Sequence, residues 1–354
     1  MKNLSIKTLR AALVALSCIL AFSCTKDDKE EPHASTGAYI LNNGAWNANN
    51  AGISRYDFAT KTLTGDAFAT ANGGTALGDL GQDILAVGDE LYIAVNGSQT
   101  IFVTDRDLVL KKAVTASAGD AKLSPRSLCY GGGKVYVTYY EGYLGEIDHK
   151  TYTVRTTAVG PNPEGVAYVG GKVYTSNSGG SLYGVYNNTV SVVDAASFKE
   201  TSTYTVNVNP QALAACGQKL YLNSYGDYGA AAPKVQCIDI ATGTVADLDY
   251  DSPSAIAVQG DVLYILCGGY DADWNPLPGT VYRYDAAKGA KLGTFVTDGT
   301  TLPQAYSLSA TEHYVWVGCS DYKNTGDVYA FDIKTGRLFD SFDSEGINPL
   351  KVIE

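Results

Sequence analysis

The chain has 354 residues, 45% hydrophobic and 18% charged, which is enough to bury a large core. Lys and Arg number 26 against 37 Asp and Glu, a formal charge of -11 that repels phosphate backbones and argues against a nucleic-acid partner. Setting aside residues 1–23, which carry Lys2, Lys7 and Arg10 and no acid, takes that charge to -14.

Residues 1–23 read as a targeting segment. Lys2, Lys7 and Arg10 form a basic end, Ala11 to Phe22 is an apolar run too short to span a bilayer comfortably, and small Ser23 precedes Cys24. The pattern resembles a bacterial lipoprotein signal, which would make Cys24 the lipidated first residue. An ordinary secretory signal with an incidental cysteine is the alternative. Directly after Cys24 comes Thr-Lys-Asp-Asp-Lys-Glu-Glu, a run with nothing apolar to bury, so residues 24–36 read as a solvated tether, on the cell surface or, as the alternative, facing the periplasm.

From residue 37 the chain is expected to be all β. Seven short strands end in aspartate, at Asp57, Asp105, Asp148, Asp194, Asp239, Asp285 and Asp332, spaced 43 to 48 residues apart. Each is followed by turn material such as ATKT, ATGT or IKTG, as expected of a carboxylate that bonds the backbone of its own turn. A second repeat runs alongside: an apolar segment, a tight turn and another strand, beginning at Pro125, Pro163, Pro210, Pro253 and Pro303. PEGVAYVGGKVYTSN, Pro163 to Asn177, is its clearest copy. Four strands per unit in seven units is the signature of a seven-bladed β-propeller over residues 37–354. YILNNG, from Tyr39, aligns with the second strand of later units, so the first unit lacks an innermost strand. INPLKVIE, Ile347 to Glu354, has the form of that missing strand and is expected to close the ring.

In a four-stranded meander the second-to-third connections and the joints between blades share one face. Here those connections are long and aromatic, while the opposite turns are short. They carry Trp46, Asn96, Tyr139, Tyr140, Tyr183, Tyr186, Tyr225, Tyr228, Tyr270, Trp274, Asp321 and Tyr322. Tyrosine and tryptophan combine large contact area with a polar handle, which suits a bulky amphipathic ligand or a partner surface. Asp79, Gln82, Arg126, Asn162, Gln211 and Gln304, at the joints, are expected to point toward the central mouth. Shielding of loop backbones is the alternative role for any single tyrosine, and bonding to neighbouring blades for the joint residues.

Catalytic and metal chemistry is poorly provided. Of three histidines, His33 falls in the tether, His149 follows a strand-ending Asp and His313 sits in a short turn of the other face, so no triad or His-rich metal site can be assembled. Asp271, Asp273 and Asn275 have the opening of a calcium loop, but the prolines that follow replace its continuation, and bound calcium is not expected. Cys129, Cys216, Cys237, Cys267 and Cys319 show no CxxC spacing and read as buried thiols, with a disulfide left open by the oxidising compartment.

Over its mature length the chain resembles the YncE-like seven-bladed propellers of Bacteroidetes surface lipoproteins, a group that includes BtuG-type cobalamin-binding proteins. The resemblance is carried by GAYILNNGAWNANNAGISRYDFATKTL, ANGGTALGDLGQDI and DYKNTGDVYAFDIKTGRLFDSF. It implies a non-enzymatic, monomeric binder, lipid-anchored at the outer membrane and facing the cell surface. Such a binder would pass a corrinoid such as vitamin B12 to a TonB-dependent transporter. A glycan ligand, a protein-interaction role and a propeller lactonase or lyase are the alternatives, in that order.

Overall fold

The computed structural model describes residues 36–181, 183–270 and 276–354. Seven four-stranded antiparallel sheets follow one another, and the innermost strand of each contacts those on either side in a closed circuit. Blade 1 is built from Thr62–Thr64, Gly52–Asp57, Gly37–Asn42 and, innermost, Pro349–Ile353. Tyr39 pairs with Ile353 and Leu41 with Lys351, so the far end of the chain supplies the first blade's missing strand, as the sequence predicts. The innermost strands of blades 2 to 7 are Gly81–Val87, Pro125–Gly131, Pro163–Val169, Pro210–Cys216, Pro253–Gln259 and Ala305–Ala310.

Burial grades outward along each blade. Second strands such as Glu90–Val95, Lys134–Tyr139 and Lys219–Ser224 are buried at every position after the first, because a neighbouring blade covers each face. Outer strands are polar; Lys199–Thr205 reads KETSTYT and is exposed nearly throughout, which discourages pairing with another chain. All seven predicted aspartates end their strands and accept N–H bonds from the turns that follow. Asp239, for example, takes those of Ala241 and Thr242, both at 3.0 Å.

Three details depart from the sequence reading. A short helix, Ala67–Ala71, capped by the Asp66 side chain, drops fully buried Phe68 into the core between blades 1 and 2, its ring 5.6 Å from that of Phe102. The last strand of blade 7 runs on from Leu338 to Ile347, past Phe342. Cys267 and Cys319 are buried, and burial pushes each thiol up to about 12, but Cys129, Cys216 and Cys237 are only part-buried; all five are free.

The structure also explains how the joints hold. In every blade the residue just before the innermost strand offers its carbonyl to an N–H of the second strand's far end, just past the strand in six blades and within Val262–Tyr270 in blade 6. The pairs are Leu80 with Asn96, Ser124 with Tyr140, Asn162 with Ser178, Asn209 with Tyr225, Ser252 with Gly268, Gln304 with Ser320 and Asn348 with Asn43. Six of those joint residues, all but Ser124, are left-handed, with φ between 47 and 59°, which asparagine tolerates better than most. Joints and second-to-third connections therefore do share one face. Immediately after each joint in blades 2 to 7 the inner ladder slips, freeing one or two residues from the sheet. Proline suits the first position of such a strand because little ladder bonding is lost there.

Candidate functional site

The bulges decide which side chains reach the mouth. Taking the residue after the first ladder pair gives Gln82, Arg126, Glu164, Gln211, Ser254 and Tyr306 in blades 2 to 7, and Leu350 in blade 1. Arg126 Nε donates to Glu164 Oε2 at 2.7 Å, and Nη2 bonds the same oxygen. Glu164 Oε1 accepts from the Ser178 hydroxyl at 3.3 Å. The Arg126 guanidinium lies 5.3 Å from the centre of the Tyr140 ring. Burial works against its charge, and Glu164 outweighs that, holding the guanidinium above its ordinary pKa.

Tyrosines from other blades converge on this pair. Tyr225 is near enough to Arg126, Glu164 and Tyr322 for their charges to act on its hydroxyl, and burial above all pushes it up to about 12. Tyr306 feels Arg126, Tyr225 and Tyr322 in the same way, and burial drives its phenol upward. Its ring meets that of Tyr322 edge-on at 5.4 Å. Residues of blades 3, 5 and 7 thus lie within electrostatic reach of one another on the mouth side, and we call this group its floor.

Outward from the floor the aromatic surface continues. Tyr228 meets Tyr186 edge-on at 5.9 Å, and Tyr186 meets Tyr183 at 6.3 Å. Tyr228 and Tyr322 are built alike: each follows an aspartate whose carboxylate takes two N–H groups of the turn, and each is left-handed, with φ of 57 and 64°. That conformation is costly for an aromatic residue and turns the ring outward, leaving Tyr228 66% and Tyr322 53% exposed. Tyr183 at 86% and Val185 at 75% form the outer rim.

The sequence-predicted residues divide between site and scaffold. Arg126, Tyr140, Tyr225 and Tyr322 come together, Gln211 lies at the neighbouring bulge with its amide donating to Asn209 Oδ1 at 2.6 Å, and Tyr183 marks the rim. Trp46 stands 70% exposed on blade 1, away from this cluster in the chain of ring contacts. Tyr139 does not face the mouth: it is buried between blades 2 and 3, its ring lying over Gly145, because strand alternation sends it opposite to Tyr140. Asp321 serves its own turn, accepting from the N–H groups of Lys323 and Asn324, and these hold its carboxyl down at about 2. Asn96 ties blade 2 to blade 3, donating to the Pro125 carbonyl at 3.2 Å.

Asn162 likewise braces the blade 4 loop through Tyr140 and Ser181, and Asp79 accepts from the Asn47 N–H at 3.2 Å. Gln304 occupies the left-handed joint of blade 7, since the inner ladder there begins at Ala305, two residues after Pro303. The same shift brings Tyr306 to the mouth. Of Tyr270 only the backbone is described, ending the strand Val262–Tyr270. Cys24, Trp274, Asp271, Asp273 and Asn275 lie outside the described residues. Glu164 and Tyr306 are the site residues that sequence reasoning missed; Glu164 follows Pro163 just as Arg126 follows Pro125.

No known protein-family profile matches the chain, and no curated protein does. Solved structures resemble it in fold. A provisionally named 6-phosphogluconolactonase from Bacteroides uniformis superposes with a TM-score of 0.62 at 14% identity, covering 90% of this chain and 99% of its own. The WD40 domain of Neurospora crassa Pan2 does so with a TM-score of 0.54 at 10% identity, covering 73% and 78%. A chain of the mitotic checkpoint complex gives 0.53 at 16%, covering 73% and 74%. Fold and face together define a class: a seven-bladed β-propeller, a scaffold suited to binding a ligand or a protein.

Proposed function

We propose that this propeller is a capture protein whose tyrosine-lined mouth takes a bulky amphipathic small molecule, a corrinoid first and a glycan second. The observation that carries the reading is the meeting of Arg126, Tyr140, Tyr225, Tyr306 and Tyr322 from separate blades on one face, extended outward through Tyr228 and Tyr186. A floor with aromatic walls supports a broad flat ligand through stacking, and its hydroxyls and guanidinium supply polar contacts. The lipoprotein-like leader and the resemblance to YncE-like and BtuG-type propellers of Bacteroidetes add a setting. In that setting the protein is anchored through Cys24 to the outer membrane, faces the cell surface as a monomer, and delivers its ligand to a TonB-dependent transporter.

We take the chain to be a binder and not a catalyst, because Glu164, the carboxylate beside Arg126, is committed to Arg126 and Ser178. The lactonase-named neighbour, at 14% identity, supports the fold alone. A protein-interaction role is the second reading, and the exposed rim of Tyr183, Val185 and Tyr228 favours it. Calorimetric titration of the mature chain with cyanocobalamin, then with neutral oligosaccharides, tests the proposal. One-to-one binding weakened by Tyr306→Ala supports it; no heat with any of these at micromolar concentration sinks it and turns attention to protein partners.

A further inference from the structure

Glu164 occupies two of the three nitrogens of Arg126. The third, Nη1, has no protein partner among the described residues, and neither do the hydroxyls of Tyr225 and Tyr306. The floor therefore offers hydrogen-bond donors without net charge. Around it the same face carries Asp79, Glu141, Asp227, Asp251 and Asp321 against Lys122 and Lys323, on a chain whose formal charge is -11.

We infer that Glu164 sets the charge class of the ligand: by neutralising Arg126 it makes the mouth accept uncharged, carbonyl-rich molecules and turn away their carboxylated counterparts. The inference rests on the reading of the mouth as a small-molecule site. An amide or ring oxygen takes the donors of Nη1 and the two phenols at no electrostatic cost. A carboxylate placed there meets Glu164 on a face richer in acids than in bases, and can gain the guanidinium only by displacing a partner already bonded through two nitrogens. Rejection is thus built from a like charge, and acceptance from donors. Gln211 and Ser254, the next two residues around the bulge ring, add neutral polar groups and no cation.

The test compares probes that share a shape and differ in one group. Cyanocobalamin is titrated against the same molecule with one side-chain amide hydrolysed to the acid, and a neutral hexasaccharide against an oligouronate of equal length. The wild-type chain is expected to favour the uncharged member of whichever pair it binds by about tenfold. Glu164→Gln releases the guanidinium and should erase or reverse that preference, while Arg126→Gln combined with Glu164→Gln should restore it at lower affinity. Both variants are first checked for unchanged melting behaviour, and the double variant keeps the outcome readable if the single one is unstable. Equal binding of both members, tighter binding of the acid, or an unchanged ratio in Glu164→Gln overturns the inference while leaving the capture reading intact. Failure of both pairs to bind overturns the two together.

Discussion

The two faces of the ring are made by the same blade repeated seven times, yet only one of them repeats its side chains. On the turn face an aspartate recurs at every blade, each accepting N–H groups from its own turn. On the mouth face the backbone repeats, joint carbonyl to second-strand N–H, while the residue at the bulge changes from Gln82 to Arg126, Glu164, Gln211, Ser254 and Tyr306. Repetition marks what the fold requires, and departure from it marks what a ligand could read.

The comparison can be broken most severely at the clasp both faces depend on. Removing residues 349–354 strips blade 1 of its innermost strand and exposes the edge of Gly37–Asn42, and we expect the cooperative thermal transition to vanish in circular dichroism. At the mouth, Tyr225→Ala should weaken ligand binding by about tenfold or more, as truncation of a part-buried aromatic anchor does, with a far smaller change in melting temperature. On the turn face, Asp239→Ala should do the reverse. We expect a drop of about 2–4 °C in melting temperature and unchanged ligand affinity, both measured on one preparation.

Acid should single out the turn face as well. Asp57, Asp194 and Asp285 are held below the ordinary carboxylate value first by backbone N–H groups, Asp148 first by Lys134 and Asp332 first by the Thr335 hydroxyl. Depressed carboxylates stabilise the folded chain above their unfolded pKa, near 4, and that stability is lost as pH falls through the lower folded values. Melting temperature should therefore be level above about pH 5 and decline steadily below about pH 4. The smallest effect is expected at the rim: Tyr183→Ala should change small-molecule affinity by less than about threefold, and a larger loss would move the binding surface outward.

The ring was legible because its two repeats are short-range: a strand-ending Asp and a proline-led hairpin can be counted without knowing what touches what. Closure by INPLKVIE followed from one strand missing at the start and one left over at the end. The site was legible only in part. Tyr139 and Tyr140 are adjacent letters, and which one faces the mouth depends on where the strand stops alternating. Pro303 invites alignment with the other strand-opening prolines, but the ladder of blade 7 starts at Ala305, so Gln304 becomes a joint and Tyr306 a floor residue. Glu164 could have been found by noting opposite charges one place after Pro125 and Pro163 in successive blades. The meeting of Arg126, Tyr225 and Tyr306 could not, since it joins blades 3, 5 and 7 across a mouth that no local pattern describes.

The pairing of Tyr39 with Ile353 has a kinetic side. Six blades can form from contacts within about fifty residues, whereas blade 1 must close a loop of roughly three hundred, an entropic cost that local hairpins never meet. Blade 1 should therefore be the slowest to assemble and the first to part. In hydrogen-exchange measurements the amides of Gly37–Asn42 and Pro349–Ile353 should open together, ahead of any other central strand.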